Sequence, residues 1–273
     1  MWDITNNYQE ILIAFGFTLF AGLSTGIGSA IAFFARRTNT KFLSIALGFS
    51  AGVMIYLSFV EIFPKAQESL AVEMNEQMGY VVTIIAFFTG IVLIAIIDRL
   101  VPSFENPHEL KRVEQIYDKG QEKNKKLYRM GVMSALAIAI HNFPEGLATF
   151  LATLQDIRLG LPIAIAIAIH NIPEGIAISV PIHHATGSKK KAFTYSFLSG
   201  LAEPIGALVG FFILMPFLSQ AVFGFMFAMV AGIMVFISID NLLPAAREYG
   251  EPHLSIYGLT GGMALMAVSL IFL

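Results

Sequence analysis

The sequence predicts an all-α polytopic membrane protein of eight transmembrane helices, and three observations carry that prediction. Of 273 residues, 56% are apolar and 13% charged, with a mean hydropathy of +0.72; a soluble domain carries about 25% charged residues. Apolar runs of about 20 residues, the length that crosses a bilayer, recur along the chain. These runs are continuous rather than alternating, which favours helices over a β-barrel. The chain has no cysteine, so disulfides and thiolate ligands are excluded.

The elements follow in order. The start, MWDITNNYQE, lacks a basic n-region, so no cleavable signal peptide is expected. Span one is expected over 11–34, stopping at Arg36-Arg37, and span two over 42–63, closing at Pro64-Lys65. A polar loop to Met78 leads to span three, 79–97, which ends in Asp98-Arg99. The longest polar segment, 100–127, is rich in charge, with a short helix expected near Glu109–Tyr117. Spans four and five are expected over 128–154 and 159–182. The segment HHATGSKKK leads to span six, 192–218, and spans seven and eight follow over 222–243 and 256–273. The whole chain, 1–273, then forms one transmembrane domain. Pairs of small residues four apart, Gly22/Gly26, Gly48/Gly52, Gly206/Gly210 and Gly258/Gly262, permit close helix approach.

Eight spans put both termini on one side. That side holds only Lys65 and Arg158, against fifteen lysines and arginines on the other. By the positive-inside rule the termini face out and segment 100–127 faces the cytoplasm.

One phrase occurs twice. Residues 137–148 read AIAIHNFPEGLA and residues 166–177 read AIAIHNIPEGIA, identical at ten of twelve positions and 29 residues apart. His141 and Glu145, at i,i+4, share a helix face, and His170 and Glu174 repeat the pair. Asn142 and Asn171 lie three residues before the same glutamates. Pro144 and Pro173 cannot donate backbone hydrogen bonds, which frees the carbonyls of Ile140 and Ile169 and predicts two kinked helices. A lone buried histidine or asparagine is ordinarily a packing residue. Packing alone gives no reason to copy His, Asn, Pro, Glu and Gly in register, so the repeat points to a divalent-metal ligand set built twice.

Intramembrane carboxylates sharpen this. An ionised group at mid-bilayer costs roughly 3 kcal/mol on insertion scales and needs a partner. Glu145, Glu174 and Glu203 lie deep in their spans, with no Lys or Arg at comparable depth, so a cation is the missing partner. A two-metal arrangement follows: one centre from His141, Glu145, His170 and Glu174, the other from Asn142, Glu145, Asn171, Glu174 and Glu203, with the shared glutamates bridging. Two further acids, Glu61 in FVEIFPKA and Asp240 in ISIDNLLPAA, stand near opposite span ends in similar phrases. They suggest an inverted repeat between spans one to three and six to eight, a 3+2+3 arrangement, with each acid an entrance or exit ligand. His108, His183, His184 and His253 are expected to be solvated.

The paired HN-x-P-E-G motifs in spans four and five, HNFPEG and HNIPEG, together with SGLAEP at Ser199–Pro204, resemble the ZIP family of metal transporters over essentially the whole chain. The resemblance implies a binuclear centre and inward transport of metal across the bacterial cytoplasmic (inner) membrane. It carries over to Asn142, Glu145, Asn171, Glu174 and Glu203 for a position able to take iron(II). Glu145, His170 and Glu174 form the position favouring zinc, with His141 as a further ligand. Many family members have a histidine-rich cytoplasmic loop, where this chain has only His108, and a histidine where Glu61 stands.

The expected cargo is Zn2+ with Fe2+, then Mn2+ and other divalent cations. No prosthetic group and no nucleic acid partner are expected; the bilayer is the environment, and a homodimer is the family expectation. The reading from another class is an intramembrane metal-dependent hydrolase using the same ligands to activate water; against it, the chain has no HExxH and no distinct nucleophile. A passive channel is a third reading, which saturation of flux separates from a carrier. The charge asymmetry yields a direct expectation in this cysteine-free background. A cysteine placed at Thr5 labels from outside intact cells, and one at Gly120 labels only after permeabilisation; the opposite pattern reverses the assigned direction.

Overall fold

The computed structural model describes residues 8–34, 40–100, 121–214, 217, 219–249 and 252–271. The helix expected near 109–117, together with His108 and Arg36-Arg37, lies outside the described residues. Eight helical spans are long and apolar enough to cross a membrane, and the described residues contain no strand.

Span one is Tyr8–Phe34. Span two begins at Thr40–Leu57, passes through a π-helical turn at Ser58–Ile62 and continues as Phe63–Glu73. The apolar run ends at Phe63 but the helix does not. Pro64 falls in the first turn of Phe63–Glu73, where its missing N–H costs nothing, and the segment expected to be loop is helical as far as Glu73. Span three is Glu76–Leu100. Spans four and five are Gln121–Gln155 and Ile157–Thr186, which run as helix through Pro144 and Pro173. Asp156 caps span five by accepting from the Arg158 N–H, and Gly187 ends it with a left-handed φ of 68°.

Span six is interrupted. Lys189–Gly200 ends at Leu201, and Ala202–Val209 resumes before a π-helical turn at Gly210–Leu214. Pro204 has no N–H to offer the Gly200 carbonyl, which accounts for a break at that level. Span seven mirrors span two: Gln220–Ile237, a π-helical turn at Ser238–Leu242, then Leu243–Tyr249 with Pro244 in its first turn. Span eight is Pro252–Ile271.

The spans pack as two groups of four. Spans one, four, five and six form one, and spans two, three, seven and eight the other. Span two meets span five and span four meets span seven across the boundary. A core of Met54, Leu57, Ile163, Ile167, Phe227 and Met234 fills this boundary. The glycine pairs of spans two and eight mark a backbone-on-backbone seam, whereas Gly26 and Gly210 in the other two pairs meet only side chains of Phe193, Phe197 and Leu147. A Cβ at Gly48 or Gly52 would strike the carbonyls of Ser255 and Leu259, and one at Gly258 or Gly262 would strike those of Ile45 and Phe49. Spans two and eight therefore interlock through four glycines.

A methyl group at such a position has only backbone to push against. Gly52→Ala is expected to destabilise the protein by about 1–3 kcal/mol, read as a lower melting temperature in detergent. Gly261→Ala, where a Cβ meets nothing within 4 Å, leaves the melting temperature unchanged. Equal behaviour of the two variants would contradict the seam.

Candidate metal centre

Spans four and five lie side by side in the first group, and the two HNxPEG segments face each other at one level. The seven polar side chains of the central set are all buried: His141 is 5% exposed, Glu174 2%, and Asn142, Glu145, His170, Asn171 and Glu203 0%. The glycine of each motif lets a third helix close on the site. A Cβ at Gly146 would strike the Glu203 carbonyl of span six, and one at Gly175 would strike the Thr25 carbonyl of span one. On the same seams, the carbonyls of Phe143 and Ile172 lie over Gly206 and Gly28. The motif thus serves two ends: glutamate for the site, and glycine next to it for the approach that brings Glu203 close.

The hydrogen bonds run between the helices and not along them. His141 Nε2 donates to Glu174 Oε1 at 3.1 Å, and His170 Nε2 donates to Glu145 Oε2 at 3.1 Å. Each imidazole thus reaches the carboxylate of the opposite copy, although the i,i+4 spacing places the glutamate of its own copy on the same face. The carboxylates can only accept when ionised, which sets the donor in each pair. The asparagines are tied by their amide nitrogens. Asn171 Nδ2 donates to the Ala21 carbonyl at 2.8 Å and to Glu203 Oε1, and Asn142 Nδ2 donates to the Ser199 carbonyl at 3.4 Å.

These bonds leave a second set of atoms without partners. Asn142 Oδ1, Glu145 Oε1, Asn171 Oδ1, Glu174 Oε2 and Glu203 Oε2 are buried and accept no hydrogen bond. No Lys or Arg pairs with the three glutamates among the described residues. Buried polar atoms nearly always have a partner, and an unpaired one costs about 1–3 kcal/mol. Five acceptor oxygens with no donor between them form an environment for a cation. Among the described residues, no three histidine or acidic side chains converge on one point as a bound ion would require: the Nε2 atom of each imidazole is engaged on a carboxylate oxygen.

Glu61 and Asp240 stand apart from this cluster. Glu61 is in the π-helical turn of span two and lines a cavity of about 460 Å3 with Lys65, Asp156 and Arg158. Asp240 is in the π-helical turn of span seven. Its neighbour Asn241 lines a small cavity of about 20 Å3 with Asp98 and His141. Sequence reasoning passed over Asn241 because it looked for acids. Aligning LSFVEIFPKA with ISIDNLLPAA on Pro64 and Pro244 without a gap sets Glu61 against Asn241, with Asp240 against Val60. That register was available in the sequence.

A family model described as ZIP Zinc transporter matches residues 103–270. Among similar proteins, Zinc transporter ZupT of Streptococcus mutans is 63% identical over 263 residues, covering 96% of this chain and 98% of its own. Zinc transporter ZupT of Oceanobacillus iheyensis is 63% identical over 266 residues, covering 97% and 99%. Zinc transporter ZupT of Clostridium perfringens is 56% identical over 278 residues, covering 97% and 98%.

The crossed pairing has a thermodynamic signature in chelator-treated protein. A double-mutant cycle on His141→Ala and Glu174→Ala is expected to show a coupling of about 0.5–3 kcal/mol, whereas the same-helix pair His141 and Glu145 comes closer to additivity. Equal couplings would mean that the cross-helix bonds do not form.

Proposed function

Because the chain belongs to the ZIP zinc transporter family, which makes it a multi-pass membrane protein of a transport family and not an enzyme family, we propose that it carries zinc into the cytoplasm through a binuclear intramembrane site. The observation that carries this reading is the set of five unpartnered buried oxygens on Asn142, Glu145, Asn171, Glu174 and Glu203. They are the oxygen position, suited to harder ions such as iron(II) and manganese(II). The other oxygens of Glu145 and Glu174, with His170 and His141, are the zinc position, because imidazole and carboxylate suit zinc. Zinc needs the bare lone pair of Nε2, so on binding the ring proton shifts to Nδ1 of the neutral imidazole. The crossed His–Glu hydrogen bonds therefore describe the pairing that an entering ion replaces. Both glutamates belong to both positions and bridge them.

At the ends of the route, Glu61 receives the ion on the outer side. Asp240, with its neighbour Asn241, releases it on the inner side, in the cytoplasmic membrane orientation that the fifteen-to-two charge count supports. The 3+2+3 inverted repeat is supported by the matched π-helical turns of spans two and seven and by the paired closures of Phe143 over Gly206 and Ile172 over Gly28.

The test is uptake at matched membrane expression. Glu145→Ala and Glu174→Ala are each expected to abolish transport of every metal, and near-normal zinc uptake by either would sink the assignment. His170→Ala lowers zinc uptake more than iron uptake, and Asn171→Ala does the reverse. Equal losses of both metals in both variants would mean that the two positions do not act separately.

A further inference from the structure

Two cavities outside the central cluster meet at Pro162. The first is the chamber of about 460 Å3 lined by Glu61, Lys65, Asp156 and Arg158, with Leu270 at its edge. The second is a groove of about 260 Å3, almost wholly apolar, between spans two, five and eight. Val53, Pro162, Ile165, Ile169, Leu265 and Val268 line it. Pro162 borders both, and span eight contributes Ser269 to one and Leu270 to the other. A charged chamber thus sits at the end of an apolar trough.

The charges are unexpected at the mouth of a route for cations. Lys65 and Arg158 are the two basic residues of that face, and both line this one chamber. Lys65 reaches Glu68 at 3.4 Å in a pair whose side chains are 42% and 71% exposed, a contact worth little in water. The Arg158 guanidinium has no ion pair among the described residues. Two cations and two carboxylates around one chamber match a ligand that carries both signs, a phosphate and an ammonium.

The trough asks for an occupant of its own. Span eight runs along span two and scarcely touches span five. Span five is otherwise well covered, but Ile165 is 43% exposed, and it faces Leu265 and Val268, 43% and 49% exposed, across the groove. In a bilayer, such a gap between apolar walls is filled by hydrocarbon, because unfilled space forfeits the contacts of its lining. Ile169, on its floor, is the residue before His170.

We propose that this paired cavity binds one zwitterionic glycerophospholipid. Its phosphate sits between Lys65 and Arg158, its ammonium faces Asp156, leaving Glu61 to the entering ion, and one acyl chain lies in the trough against Ile165, Ile169 and Val268. The bound chain covers the flank of span five beside the metal centre.

The experiment is native mass spectrometry of the full chain after incubation with mixed vesicles holding equal amounts of phosphatidylethanolamine and phosphatidylglycerol. One phosphatidylethanolamine per chain is expected to survive extraction. The double variant Lys65→Gln/Arg158→Gln, which removes the charge-assisted contacts, lowers its retention by about tenfold. Ile165→Trp, which fills the trough and leaves the charges in place, lowers it as well. A melting curve identifies any variant that fails to fold, and Val268→Trp replaces Ile165→Trp in that case. No lipid retained by the parent protein, phosphatidylglycerol retained as well as phosphatidylethanolamine, or retention unchanged in the folded variants would each overturn the proposal.

Discussion

Three buried glutamates with no Lys or Arg beside them among the described residues set the terms for the rest of this structure. A membrane-spanning bundle normally keeps its ionisable groups at the ends or pairs them, since water is not there to solvate them. Here Glu145, Glu174 and Glu203 are fully or almost fully buried, and the described protein groups satisfy one oxygen of each and leave the other bare. The partners present are polar but few: an imidazole for Glu145, another for Glu174 and one amide for Glu203. A divalent cation shared between the glutamates would supply the missing attraction, and the proposed function rests on that deficit.

Packing around the cluster follows from the same constraint. Carboxylates from two helices can share an ion only if the helices come close, and close approach of backbones requires glycine where a Cβ would intrude. The glycine directly after each motif glutamate meets that need, Gly146 against span six and Gly175 against span one. Serines reinforce the second seam: Ser196 Oγ donates to the Thr25 carbonyl at 3.1 Å, holding span six to span one beside Gly175.

Much of this was legible in the sequence, and the parts that were not have a physical reason. Eight apolar runs specify eight helices because the bilayer allows the backbone no other way to satisfy its hydrogen bonds. The duplicated phrase made the cluster visible because packing, which accounts for the glycines, gives no reason to repeat His, Asn and Glu in register. Span ends were harder to read. Hydropathy marks where apolar residues stop, whereas a helix runs on until a cap ends it, so Phe63–Glu73 and Leu243–Tyr249 continue beyond the apolar segments. The π-helical turns at Ser58–Ile62 and Ser238–Leu242 have no composition signature; they fall at the same distance from Pro64 and Pro244, so it is matching proline to proline, not acid to acid, that sets Glu61 against Asn241. The crossed pairing of His141 with Glu174 and His170 with Glu145 also lay beyond spacing rules, which relate residues along one helix and say nothing of how two helices are set against each other.

The measurement that bears most directly on the central claim is anomalous diffraction at the zinc edge from zinc-loaded crystals of the full chain. The account predicts two peaks about 3.5–4 Å apart, both flanked by Glu145 and Glu174, with His170 on one peak and Asn171 with Glu203 on the other. A single peak away from these glutamates, with their free oxygens still unpaired in the loaded crystal, would contradict it.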